Sequence, residues 1–171
     1  MLKNYLVFIF CFFYFFSTAQ GILADRENFN RQDTLRGTIT KERIWWDLKY
    51  YHLDIVVDPD NKTIKGSNEV TYKVLDSYDV LQIDLQKPLL ITRAEQNGKE
   101  LDIKFDGNAH FISLTEKQVI GNSYKLKVFY EGFPREAPRA PWDGGISWKK
   151  DQNGNHFVAS SCQGLGASIW W

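Results

Sequence analysis

Apolar and polar residues alternate along most of this chain with the two-residue period of strands that bury one face. From Tyr51, the residues Leu53, Ile55 and Val57 alternate with His52, Asp54 and Val56, and Val70, Tyr72 and Val74 repeat the pattern after a break. The break is Asp58-Pro59-Asp60-Asn61-Lys62, where proline presets φ and Asp and Asn bond their own backbone. The stretch Tyr51–Val74 therefore predicts a hairpin, and a hairpin alone is marginal, so further strands must extend it. Leu81, Ile83 and Leu85 form the next alternating run, ended by Pro88. Leu90-Ile91-Thr92 starts another, and Asn97-Gly98 is a strong hairpin signal. Leu101, Ile103 and Phe105 alternate with charged residues, Gly107-Asn108 turns the chain, and Phe111–Leu114 is a short strand. After a polar connection from Glu116 to Ser123, Tyr124, Leu126, Val128 and Tyr130 point one way.

Pro134, Pro138 and Pro141 interrupt this rhythm, since proline cannot sit in a central strand. Two short strands follow, Ile146–Trp148 and Phe157–Ala159, around the turn Asp151–Asn155. No amphipathic helix of useful length lies between Tyr51 and Tyr130. The predicted class is all-β: an antiparallel β-sandwich or a pair of saddle-shaped sheets. Residues 45–171 form this β-rich domain, entered through Trp45 and Trp46, which are expected to cover the open end of a sheet rather than line a sugar site.

The first twenty residues carry a different pattern. Lys3 precedes an unbroken apolar run from Tyr5 to Phe16, and Ser17-Thr18-Ala19 supplies small residues for cleavage. This is the layout of a secretory signal peptide, too short to span a bilayer comfortably. The protein is thus expected to be exported, periplasmic or extracellular, with no stable membrane insertion after cleavage. Residues 21–44 are a polar lead-in with little periodicity, expected to be loosely attached or to form a short helix.

Charge and cysteines then narrow the chemistry. The chain has 21 basic and 21 acidic side chains; losing Lys3 with the signal leaves 20 against 21. The Lys and Arg are scattered among carboxylates, so nothing resembles a nucleic-acid footprint. Cys11 leaves with the signal and Cys162 stands alone, so no intrachain disulfide is available; Cys162 is expected to be a small buried thiol. His52, His110 and His156 have no metal-ligand spacing, which excludes a zinc site built on one helix. Gly166-Ala167-Ser168-Ile169-Trp170 begins like a nucleophile elbow, but Trp170 replaces the final glycine. Asp102 and Asp106 fit solvated strand edges, and Asn61-Lys62-Thr63 fits a glycosylation acceptor. The closing Ile169-Trp170-Trp171 is expected to belong to an apolar face made for another domain, which suggests a chain that continues.

The order of parts resembles the amino-terminal domain of the aminopeptidase N family of secreted zinc metallopeptidases. The resemblance runs over residues 45–171. It rests on Tyr51-His52-Leu53-Asp54-Ile55 with Ile64-Lys65-Gly66, on Tyr130-Glu131-Gly132 before the proline-rich loop, and on Ser161-Cys162-Gln163 with the segment after it. It implies a β-saddle packed on a downstream catalytic domain, absent from these residues, that holds zinc through a His-Glu-x-x-His motif and a distal Glu and hydrolyses N-terminal peptide bonds of peptides. The fragment itself would hold no zinc and be inactive. The family's polar residue after the motif cysteine reaches the cleft and binds the substrate's amino end; that position is Gln163 here, and Ser161 stands where the family often has a second Gln. The rival reading is a free-standing secreted β-sandwich that binds carbohydrate or protein.

Overall fold

In the computed structural model, which describes residues 29–171, the predicted hairpin is the longest pair of strands: β1 (Trp46–Asp58) and β2 (Thr63–Val74) pair antiparallel. The chain divides into Met1–Asn30 and Arg31–Trp171, and every element below lies in the second unit. The expected signal peptide and the start of the lead-in lie outside the described residues. In the turn, the Asp58 carboxylate accepts from the Asn61 backbone N–H at 3.0 Å, and Lys62, not Asn61, takes the left-handed conformation with φ 54°.

Eight more strands follow: β3 (Val80–Asp84), β4 (Leu90–Gln96), β5 (Lys99–Glu100), β6 (Asp102–Asp106), β7 (Ala109–Ser113), β8 (Ser123–Gly132), β9 (Gly145–Lys150) and β10 (His156–Ser161). One sheet has the order β1-β2-β8-β4-β5, a second β3-β7-β6, and β9 and β10 form a separate two-stranded ribbon. All these ladders are antiparallel, as the alternation and turn spacing predict.

The run expected from Leu101 is found as β6, in a different sheet from β5. The β4–β5 hairpin turns at Asn97 and Gly98, both with positive φ, and at Leu101 the chain crosses over. Leu101 is buried, and its N–H bonds the Ala94 carbonyl at 2.9 Å. Beyond the crossing, Ile103 packs against the core while Phe105, two residues on, stays 72% exposed beside His110.

The inner faces build two apolar clusters. The larger joins Tyr72, Leu126, Val128 and Ala94 of the first sheet to Leu81 and Ile112 of the second, and Trp45 closes its end. The smaller gathers Ile64, Leu85, Leu89 and Tyr130, with Ile55, Trp170 and Trp171 packed against it. Trp45 is 1% exposed, so it fills the core and cannot stack on a ligand. A closed polar triangle borders the larger cluster. Gln96 donates to the Tyr72 hydroxyl at 2.9 Å, Tyr72 donates to Gln118 at 2.8 Å, and Gln118 donates back to Gln96 at 3.2 Å. Burial pushes the Tyr72 phenol up to about 12.

The lead-in holds helix as expected, but from Arg31 on it is not loose. Helix α1 (Arg31–Gly37) and the single turn α2 (Lys41–Ile44) dock on the three-stranded sheet. Arg31 pairs with Asp106 at 2.5 Å, Gln32 accepts from the Asn108 N–H at 2.9 Å, and Arg43 pairs with Asp84. This covering explains why Gln82, a polar position in the β3 alternation, is 3% exposed: its amide donates to the Leu35 carbonyl and to Asp84. Sequence alternation cannot register cover supplied by another segment.

His110 gives the fold an acid-sensitive point. It is 8% exposed on β7, and burial pushes its pKa below the ordinary 6.5. The folded state thus keeps the ring neutral while the unfolded chain binds a proton near pH 6.5. This contribution is fully present above that pH and is lost as pH falls through the folded-state value. His110→Gln is expected to flatten the fall in unfolding free energy between pH 7 and pH 5.5 by up to roughly 1 kcal/mol per pH unit. Denaturant titrations of both proteins at matched pH measure it; equal slopes would show that His110 does not contribute.

Candidate functional site

The residues singled out by sequence sit where β10 ends. Strand β9 leaves the proline-rich loop through Gly145, whose φ is 153° and where a Cβ would run into the backbone of Glu136 and Ala137. The loop is held there by Ile146 N–H bonding the Arg135 carbonyl at 2.8 Å and Ala137 N–H bonding the Ile146 carbonyl at 3.1 Å. The β9–β10 turn is closed by the Asp151 carboxylate, which accepts from the N–H groups of Asn153 and Asn155, both at 2.8 Å. A further bond from the Asn155 side-chain amide at 3.0 Å, with these N–H groups, holds the Asp151 carboxyl below the ordinary range.

Ser161 closes the ribbon opposite Gly145 and is half-buried. Cys162 and Gln163 follow in a turn that the Gly166 N–H closes on the Cys162 carbonyl at 2.9 Å. Cys162 is exposed, not the buried thiol expected, because β10 ends at Ser161 and the chain enters the turn. The Gln163 backbone lies close over Gly144, where a Cβ would stand 2.9 Å from the Gln163 carbonyl oxygen. Its side chain is exposed and makes no hydrogen bond to another described residue. The backbone of this turn is thus held while the Gln163 amide is left available.

A 3₁₀ turn, Gly166–Ile169, follows. The Ser168 carbonyl accepts from the Gln86 N–H at 2.8 Å, and the Ser168 hydroxyl accepts from the Gln86 amide at 3.1 Å. That hydroxyl in turn donates to the Leu165 carbonyl at 2.9 Å, a structural role and not that of a nucleophile. Ile169 is fully buried, and Trp171 packs edge-on against Tyr51 with ring centroids 4.5 Å apart. The expected apolar face is therefore not formed by Ile169. A groove of about 340 Å³ lies beside the ribbon, lined by Val57, Ile64, Trp148, Val158 and Trp170. The indole N–H groups of Trp148 and Trp170 are buried with no acceptor among the described residues. Sequence reading missed this groove because its walls come from both the hairpin and the ribbon.

His52 is exposed on β1, and His156 lies 3.0 Å from Asp60 across the tips of two turns. Asp106 is engaged by Arg31, and Asp102 is exposed. No group of three His, Cys, Asp or Glu among the described residues could hold a metal ion. The described residues do not fit a zinc centre, whose ligands would have to lie elsewhere.

No protein-family model matches the chain, and no curated protein matches it by sequence. Solved structures do share its fold. One is a variant of an M1 zinc metallopeptidase from Deinococcus radiodurans bound to a Tyr-Ser-Ala substrate, with TM-score 0.58 and 18% identity over 75% of this chain and 29% of that one. Another is native leukotriene A4 hydrolase from Saccharomyces cerevisiae, with TM-score 0.62 and 15% identity over 85% of this chain and 23% of that one. The yeast hydrolase in complex with bestatin gives TM-score 0.62 at 14% identity over 86% of this chain. At these identities the likeness is one of fold, and the chain spans less than a third of each of these proteins.

Proposed function

We propose that residues 45–171 are the N-terminal, non-catalytic domain of an exported zinc metalloaminopeptidase, which hydrolyses N-terminal peptide bonds with catalytic residues that follow this domain. The observation that carries the reading is a fold shared with an M1 zinc metallopeptidase and with leukotriene A4 hydrolase, over 75% and 85% of this chain but only 29% and 23% of theirs. The order of the hairpin, proline-rich loop and Ser161-Cys162-Gln163 supports it from the sequence side. In this reading the catalytic domain packs on the Trp148–Val158–Trp170 groove and supplies acceptors to the two buried indole N–H groups. Export rests on the apolar run Tyr5–Phe16.

Sequencing the transcript beyond the Trp171 codon tests the reading. An in-frame His-Glu-x-x-His motif with a distal Glu is the expected result. A stop codon at that point would overturn it in favour of a free-standing binding module.

Gln163 is the position assigned to the substrate's amino end, with Ser161 beside it. A Gln carbonyl accepts from an ammonium group, and such charge-assisted bonds are worth roughly 1.5–3 kcal/mol. In the longer protein, Gln163→Ala is expected to lower kcat/KM about 10- to 100-fold for peptides with a free amino end. Blocked peptides should lose less, because they lack the charge. The exposed amide predicts an unchanged melting temperature. A lower melting temperature with intact kinetics would assign Gln163 to the fold instead.

A further inference from the structure

The inner-face stripe of β2 reads Ile64, Gly66, Asn68, Val70, Tyr72 and Val74. Apolar residues are required on that face, and Asn68 interrupts them in the middle of a strand paired on both sides, opposite Leu53 and Val128. Asn68 is 7% exposed, and its side-chain oxygen is buried without a donor among the described residues. Buried polar groups are rarely left unpaired, so this one calls for a partner.

Asn68 lines a cavity of about 460 Å³, together with Trp46 and Ile83 beside the larger apolar cluster and Trp171 beside the smaller. That volume is in the range of small-molecule sites, roughly 300–1,000 Å³. Trp46, Tyr51 and Trp171 supply aromatic walls, all half-buried. The charges in and around it are already matched. Arg43 pairs with Asp84, Arg36 with Asp33 at 3.0 Å, and Asp47 with Lys49. An anion would have to compete with a carboxylate for either guanidinium, and a cation would have to displace Arg43 or Lys49. A neutral ligand with hydroxyl groups and a flat apolar face meets no such cost. A hydroxyl both donates and accepts, so it satisfies Asn68 whichever way the amide is turned.

We propose that this cleft binds a neutral carbohydrate, a pyranose or the end of a short glycan, with one hydroxyl on Asn68 and a ring face on the aromatic walls. None of Ser161, Cys162 and Gln163 lines the site, and the proposal does not depend on the peptidase reading.

The test titrates the purified protein with glucose, mannose, galactose, N-acetylglucosamine, cellobiose and chitobiose, following calorimetry and tryptophan fluorescence. Inorganic phosphate and glycinamide serve as anionic and cationic probes. At least one sugar should bind saturably with Kd between about 10 μM and 10 mM, and both charged probes should bind more weakly. Asn68→Leu should weaken that sugar about tenfold or more without lowering the melting temperature, since it removes an unpaired polar group from an inner face. In the unsubstituted protein, the sugar should shift the indole N–H resonances of Trp46 and Trp171, a readout that needs no variant. Failure of every sugar to saturate would overturn the proposal. So would tighter binding of phosphate or glycinamide, sugar affinity unchanged in Asn68→Leu, or shifts confined to other tryptophans.

Discussion

Trp45→Ala is expected to cost about 3–5 kcal/mol of folding stability, the range for removing a buried tryptophan. The indole is 1% exposed and meets Tyr72 edge-on at 5.9 Å and Tyr78 at 6.4 Å. Its N–H donates to the Val80 carbonyl at 2.8 Å, so truncation opens a cavity and also removes a donor from β3. The Trp45 backbone carbonyl accepts from the N–H groups of Leu75 and Asp76, which ties the end of the lead-in to the end of β2. At a few degrees per kcal/mol for a domain of this size, the melting temperature should drop by roughly 10–15 °C. Trp45→Phe keeps most of the packing and should cost clearly less. Urea unfolding of the three proteins measures the series, and a loss below about 1 kcal/mol for the alanine variant would show that this end of the core is loosely packed.

Gly66→Val should cost about 3 kcal/mol, at the upper end of overpacking effects. Gly66 pairs with Ile55, and a Cβ there would collide with the Asp54 carbonyl oxygen and touch the Ile55 Cα at 3.0 Å. The obstacle is backbone on the neighbouring strand, so no side-chain rotation relieves it, and β1 must move off β2. Gly37→Ala is the control: nothing lies within 4 Å of its would-be Cβ. That change should stay within about 1 kcal/mol and can stabilise by reducing unfolded-chain freedom. Equal stability of Gly66→Val and the parent protein would mean that β1 already stands away from β2 in solution.

These two positions mark where sequence reading succeeds and where it stops. The strand content, the turns at Asp58–Lys62, Asn97-Gly98 and Asp151–Asn155, and the side of β8 that faces inward were all legible. Each is a property of a few neighbouring residues: period-two alternation, preset φ, or a carboxylate that bonds its own backbone. The turn at Ser161–Gln163 was picked out by family resemblance, not by such local signals. Its exposure was not legible, because the burial of Cys162 and Ile169 depends on what the turn packs against. The run starting at Leu101 was legible as a strand, but the change of sheet there was not, because sheet membership depends on which strands pair with it. The Asn68 cleft could have been found as the one polar member of the Ile64–Val74 stripe.

The sequence by itself determined an all-β domain built on the Tyr51–Val74 hairpin, because local periodicity and turn chemistry act over a few residues. Only the tertiary structure decided which faces are covered. It docked the polar lead-in over Gln82 through Arg31, Gln32 and Arg43, and it placed Trp45 in the core. It closed Tyr72, Gln96 and Gln118 into one hydrogen-bonded triangle across 24 and 46 positions of chain. It also left Asn68 in a cleft and two indole N–H groups in a groove, without partners among the described residues. Each of these depends on groups far apart in the chain meeting in space. Their burial and pairing energies depend on that meeting and leave no periodic trace along the sequence.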